Sequence, residues 1–262
     1  MAVFILIVSL KLMSAVSGID FEDMYPSDDQ LMGPTLDGSS PVIFFNFPFF
    51  NNFYDTIYVN NNGHLTFNSQ YWQYIPQSLP LSDNTPLIAV FWMDVDTRST
   101  GQVWYKLSND SALLSRAKAD ITAYFDLQTS FQPTSVFTAT WLDVPYWQAA
   151  GDDRTKRNTF QVVLVTDGST SFAMFHYQKI EWAGYANNIT KAVVGFNAGD
   201  TLNSFTVNNS DYTDVINLEQ RSNTGVPGKF IFRVDGTTIE AASGSELTKQ
   251  YCCHDQCSRF LK

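Results

Sequence analysis

The sequence predicts an all-β fold: an antiparallel sandwich of about ten strands with one packed α-helix at about residues 111–125. Three observations carry this. From Val42 onward the chain breaks into short runs rich in Val, Ile, Phe, Tyr and Trp, most of them bounded by Gly, Pro, Asn or Asp. Only one stretch has helical spacing. Charged residues make up 16% and aromatic residues 15%, against a typical charged share of about 25%, so the chain has enough apolar area to offset its conformational entropy.

In chain order, residues 1–18 read as a secretory signal. An apolar run from Ala2 to Leu10 leads into small residues, with cleavage expected after Ser17 or Gly18. No basic residue precedes the run, and its ten or so apolar residues are too few to span a bilayer. Residues 19–41 form a polar, acidic lead, expected to be mostly extended. Ten strands follow: VIFFNF, TIYVN, HLTFN, PLIAVFWMDV, QVWYKL, VFTATWLDV, TFQVVLVTD, SFAMFHYQ, KAVVGFN and KFIFRVD. Between the fifth and sixth, apolar residues at 113, 114, 117, 121 and 124 mark the helix, which Asp110 or Ser111 can cap. Residues 237–262 form a tail that holds all three cysteines, Cys252, Cys253 and Cys257. The body must therefore stand on its core without staples. An odd number of cysteines points to a disulfide with a partner molecule, or to the start of a cysteine-rich module.

The stretch IYVNNNGHLTF over residues 57–67 reads as a hairpin whose register can be deduced. A two-residue turn would mix polar and apolar residues on both faces. A three-residue loop, Asn61-Asn62-Gly63, instead pairs Val59 with Leu65 and Ile57 with Phe67 on one face, and Asn60 with His64 and Tyr58 with Thr66 on the other. Gly63 supplies the left-handed residue, the Asn side chains are expected to bond local backbone, and His64 is expected to face solvent or the polar side.

From this hairpin on, the sequence resembles the nidogen-like extracellular (NIDO) domain, nearest to its alpha-tectorin-like branch. The matching blocks come in the family's order: DTIYVNNNGHLTF, PLIAVFWMDVDTRSTGQVWY, ATWLDVPYW, NTFQVVLVTDGSTSFAMFHYQKIEW, AVVGFNAGD and VPGKFIFRVDG. The resemblance runs from about Phe49 to Gly236; residues 42–236 are read as one NIDO-like β-sandwich domain, and the resemblance implies a secreted matrix or cell-surface protein. Most of the matching residues also have a purely structural use. Trp92, Trp104, Trp141, Trp147 and Trp182 are the aromatics that a sandwich core usually absorbs.

Candidate chemistry is sparse. Asp94-Val95-Asp96 with Gly101 is suggestive of a calcium loop, but Arg98 stands where a third oxygen ligand belongs, and no metal or other cofactor is expected. Asp94 and Asp96 are expected to bond neighbouring loop backbone. In the tail, Cys252-Cys253-His254-Asp255-Gln256-Cys257 lacks the two residues that secreted phospholipases place before their catalytic His, so His254 would turn roughly 200° away on a helix. Those tail ligands are also too crowded for an ordinary zinc site. No G-x-S-x-G, P-loop or H-E-x-x-H occurs, no carboxylate pair is singled out for glycosidic chemistry, and no catalytic residue is assigned. His176 lies inside a strand pattern and is expected to be packed.

Three sequons, at Asn109, Asn188 and Asn208, fall in expected loops. Arg154, Lys156 and Arg157 form a basic loop that fits a general processing-protease pattern and equally a solvated turn beside Asp152 and Asp153. A net charge of −10 argues against nucleic-acid partners, and no segment suits a membrane span. The expected function is that of a secreted, non-enzymatic extracellular-matrix or cell-matrix adhesion protein. Its expected partners are matrix glycoproteins or cell-surface proteins, with a disulfide-linked oligomer possible through the tail. A lectin-like carbohydrate binder is the alternative from a different class.

Overall fold

The computed structural model describes residues 18–127, 130–185, 190–207 and 213–242. The leader through Ser17, the sequons at Asn188 and Asn208, and Cys252, Cys253 and Cys257 lie outside the described residues.

The lead runs through a short 3-10 turn at Phe21–Asp23 and then β1 (Gln30–Leu31). Next come β2 (Ile43–Phe49), β3 (Asn52–Asn60), β4 (His64–Phe67), β5 (Leu87–Trp92) and β6 (Gln102–Ser108). The helix α1 (Ser111–Thr122) precedes β7 (Ser135–Val144), β8 (Asn158–Thr166), β9 (Ser171–Ile180) and β10 (Val193–Asn197). The chain continues with β11 (Ser204–Thr206), a 3-10 turn at Thr213–Gln220, β12 (Lys229–Arg233) and β13 (Glu240–Ala241).

All ten expected strands are present. The three additional ones, β1, β11 and β13, are pieces of two or three residues on sheet margins, too short to show a period. Of these, β1 lies in the lead, which also holds the 3-10 turn at Phe21–Asp23. The helix stops at Thr122, three residues short of expectation, and Asp110 is its cap: the carboxylate accepts from the amides of Ala112 and Leu113.

Every pairing is antiparallel, and the strands form two sheets. One has the order β1-β6-β7-β8-β9-β12-β13 and the other β11-β10-β5-β4-β3-β2. Their facing sides enclose the main core, in which Phe47, Phe67, Trp141, Phe160, Phe175 and Phe196 are wholly buried. A second core lies outside the seven-stranded sheet, where Ala117 and Ile121 of α1 cover Val163, Val165, Phe172 and Met174. That is why β8 is buried along its whole length: both of its faces are covered, unlike a strand with one wet face. A third, smaller core forms where the long β4–β5 connection folds over the outer face of the six-stranded sheet. There Leu79 and Leu81 pack with Leu87, Ala89, Trp92 and Val193.

The β3–β4 hairpin has the register deduced from the sequence: Ile57 faces Phe67, Tyr58 faces Thr66, Val59 faces Leu65 and Asn60 faces His64. Ile57, Val59, Leu65 and Phe67 point into the main core.

Candidate functional site

The densest concentration of polar side chains is the hairpin tip itself. Asn60, Asn61, Asn62 and His64 are all buried, none more than 1% exposed. The expectation that His64 faces solvent or an open polar surface is therefore corrected. The β4–β5 connection lies across that face. Tyr71 contributes its backbone oxygen to His64 Nε2 at 3.1 Å, and the rings of Tyr71 and Trp92 meet the imidazole edge-on. Burial lowers the His64 pKa to about 4, so the ring is neutral at physiological pH. His176 is packed as expected, with its Nδ1 3.2 Å from Gln161 Oε1, and burial lowers its pKa to about 3.

The asparagines reach well beyond their own turn. Asn60 Oδ1 does accept locally, from the Asn62 amide, but its Nδ2 donates to Tyr71 O and Ser39 Oγ. Asn61 Oδ1 accepts from Gly38 N at 2.7 Å, and its Nδ2 donates to Leu36 O and Val95 O. Asn62 Oδ1 accepts from Val95 N at 2.9 Å and its Nδ2 donates to Asp37 Oδ1 at 3.0 Å. From the opposite sheet, the Trp141 indole N–H reaches the carbonyl oxygens of Asn60 and Asn61. Three segments distant in sequence (the lead at 36–39, the loop at 93–97 and strand β7) thus converge on one turn. Their backbone groups would otherwise be buried without partners.

Asp94 and Asp96, the acidic pair noted from the sequence, border this hub and have opposite environments. The Asp96 carboxylate holds the Arg98 guanidinium at 2.9 and 2.8 Å and accepts from the Arg98 amide, which keeps its pKa low. Only this amide contact is the expected local backbone bond. Asp94 is 2% exposed, and its Oδ2 accepts from the Tyr185 hydroxyl at 2.6 Å, 91 residues away. Its Oδ1 is buried without a hydrogen-bond partner among the described residues. Burial raises the Asp94 carboxyl to about 6; the charges of Asp37 and Asp96 push the same way, and the Tyr185 hydroxyl opposes them. Among the described residues no group of three or more His, Cys, Asp or Glu side chains is gathered to hold a metal ion.

The raised carboxyl has a consequence for stability. A folded-state pKa above the ordinary 3.8 means that the folded chain binds the proton more tightly than the unfolded chain. The contribution of Asp94 to stability is therefore fully present below about pH 4 and is lost as pH rises through 6. Asp94→Asn removes this loss and is expected to raise the melting temperature by about 3 °C at pH 7.5 and by much less at pH 4.5. Differential scanning calorimetry at the two pH values checks it, and equal shifts at both would count against the assignment.

The remaining candidates are dispersed. Asn109 is exposed between β6 and α1. Arg154, Lys156 and Arg157 sit on or just after a 3-10 turn at Gly151–Thr155 that is tied to the body. Lys156 pairs with Asp153 at 2.6 Å, Asp153 accepts from the Tyr146 hydroxyl, and the Arg157 amide donates to Glu181. Trp92, Trp141 and Trp182 are buried as expected, whereas Trp104 and Trp147 are half-buried at the margins. Sequence reasoning also passed over Phe44 and Phe53, which are 74% and 76% exposed on β2 and β3. The signal was there: adjacent Phe44 and Phe45 in one strand must point to opposite faces.

No helix among the described residues is long and apolar enough to cross a membrane. The nidogen-like domain family matches residues 55–236. The chain is 38% identical to alpha-tectorin of Mus musculus over 248 residues, which is 88% of this chain and 11% of that protein. It is 37% identical to alpha-tectorin of Homo sapiens with the same coverage, and 30% identical to nidogen of Drosophila melanogaster over 88% of this chain and 18% of that one. It thus spans between about a tenth and a fifth of the length of these relatives. No solved structure matches it. A family match across most of the two-sheet body, with higher identity to the tectorins than to the nidogen, shows that the chain belongs to the nidogen-like domain family, on its tectorin-like side.

Proposed function

We propose that this chain is a secreted, non-enzymatic extracellular-matrix or cell-matrix adhesion protein that acts through protein–protein contacts of its nidogen-like domain. One observation supports the contact surface above others. Strand β2 is an outer strand of the six-stranded sheet, and it and its neighbour β3 expose Phe44 and Phe53 to solvent. Large aromatics held outward on an edge are costly in a protein meant to stay alone, and they are the residue type that anchors interfaces. Pro48 has no amide hydrogen and its oxygen is taken by the Ser171 hydroxyl, which leaves the Val42–Asn46 half of the edge for a partner. A glycan on exposed Asn109, beyond β6 of the other sheet, would leave this edge free. Cys252, Cys253 and Cys257 offer a route to a disulfide-linked oligomer.

A second reading, carbohydrate binding, is favoured by one cleft. Trp104, Gln102, Arg116, Thr140 and Gln161 line an open volume of about 610 Å³ under the lead, and an aromatic face beside polar groups suits a sugar.

Retention of the purified secreted chain on decellularised matrix separates the two readings. Binding that is lost after the matrix is treated with protease and kept after treatment with glycosidases supports the protein-contact reading. The reverse pattern overturns it in favour of the lectin.

A further inference from the structure

We infer that Ser17–Gly18 is the processing bond of this chain, and that the amino terminus freed at Gly18 is a structural part of the folded domain. The inference rests on reading residues 1–18 as a secretory leader, a reading that leaves the bond after Ser17 and the bond after Gly18 as alternatives. The structure distinguishes them. Gly18 and Ile19 are buried, and the Ile19 amide donates to Tyr177 O at 3.3 Å. A methyl group added to Gly18 would run into Tyr177 O and lie 2.9 Å from Gln178 O and 3.0 Å from Glu219 Cβ. Gly228, at φ +75°, closes the other side of the slot. A methyl group there would also strike Tyr177 O and would lie 2.8 Å from Ile19 N and 3.2 Å from Gly18 Cα. Two glycines thus pack against one carbonyl where neither tolerates a side chain. A residue that fills the body in this way belongs to the mature chain, which places the cut before it.

The chemistry is an ordinary hydrolysis. Water adds across the Ser17–Gly18 amide, the Ser17 carboxylate departs with the leader, and Gly18 keeps the nitrogen as a primary amine. With an ordinary α-amino pKa of about 8, that amine takes up a proton at neutral pH. The backbone carbonyl oxygens of Tyr177 and Gln178 border the Gly18 Cα. An ammonium among such groups forms charge-assisted hydrogen bonds that a neutral peptide N–H cannot match.

Two measurements test this. N-terminal sequencing and intact mass of the protein secreted from animal cells should give a chain beginning at Gly18. A start at Ile19 or beyond, or a chain that keeps its first 17 residues, overturns the assignment of the bond. Separately, protein beginning at Gly18 is compared with the same protein acetylated at Gly18 or carrying Ala-Ser in front of it. The free-amine form should melt about 3 °C higher. Equal melting temperatures for the free and blocked forms overturn the structural role of the terminus even where the cut is confirmed.

Discussion

Asn61→Ala is expected to lower the melting temperature of the domain by about 10 °C. The side chain is fully buried and serves three backbone groups, Gly38 N, Leu36 O and Val95 O, which belong to segments 23 or more residues away. Alanine removes all three partners at once without admitting a replacement. At about 1–3 kcal/mol for each stranded buried group, the cost is about 4 kcal/mol, and each kcal/mol corresponds to about 2–4 °C in a domain of this size. Asn61→Asp keeps the shape and the acceptor for Gly38 but turns two donors into a buried negative charge near Asp37 and Asp94. It should therefore be more damaging than alanine. Thermal unfolding of the three proteins checks the ranking, and a loss below about 2 °C for alanine would show that the hub is not needed for stability.

Gly63→Ala is expected to cost more than about 4 kcal/mol and to prevent secretion of folded protein. Gly63 has φ +78°, where an L-residue pays about 1–2 kcal/mol. Sterics add the larger part, because a methyl group would run into the carbonyl of Phe91, and its nearest contact is backbone that cannot rotate away. The same turn holds strand β5 through Gly63 O, which accepts from Val90 N and Phe91 N at 3.0 Å, so displacing it breaks both bonds. Gly168 is the internal control. It sits in the β8–β9 turn at φ +95° with open space where the methyl group would go, so Gly168→Ala should show the strain alone, at about 1 kcal/mol. Secretion yield and chemical denaturation of the two variants compare them directly. Equal losses would mean that backbone strain, not the close approach to Phe91, explains Gly63.

These two residues also mark how far the sequence could be read. The hairpin register was legible because alternation along a strand is a local property, and a slip of one residue would have put Ile57, Val59, Leu65 and Phe67 on the wrong face. The helix was legible for the same reason, with a period of 3.6 over twelve residues and an acidic cap. What covers the polar face of the hairpin was not legible. Tyr71 arrives from the β4–β5 connection, Leu36 and Asp37 from the lead, and Tyr185 reaches Asp94 across 91 residues. Nothing in the local pattern around Asn60 to His64 distinguishes a solvated turn from one buried by remote loops, because both call for short polar side chains and a glycine. The candidate interaction edge lay between these cases. The adjacent aromatics Phe44 and Phe45 require one ring to point outward, while the position of β2 at the sheet margin depends on the whole topology.

A buried polar hub thus holds the fold, and an exposed aromatic edge is proposed to bind. The measurement that tests this most directly is the equilibrium binding of the secreted chain to decellularised matrix, for the native sequence and for Phe44→Ser/Phe53→Ser. Both side chains are exposed, so the double variant should melt within about 2 °C of the native chain. Its binding should weaken at least tenfold, as expected when aromatic anchors worth about 2 kcal/mol are removed. Unchanged binding by this folded variant would contradict the placement of the interaction surface on the β2–β3 edge.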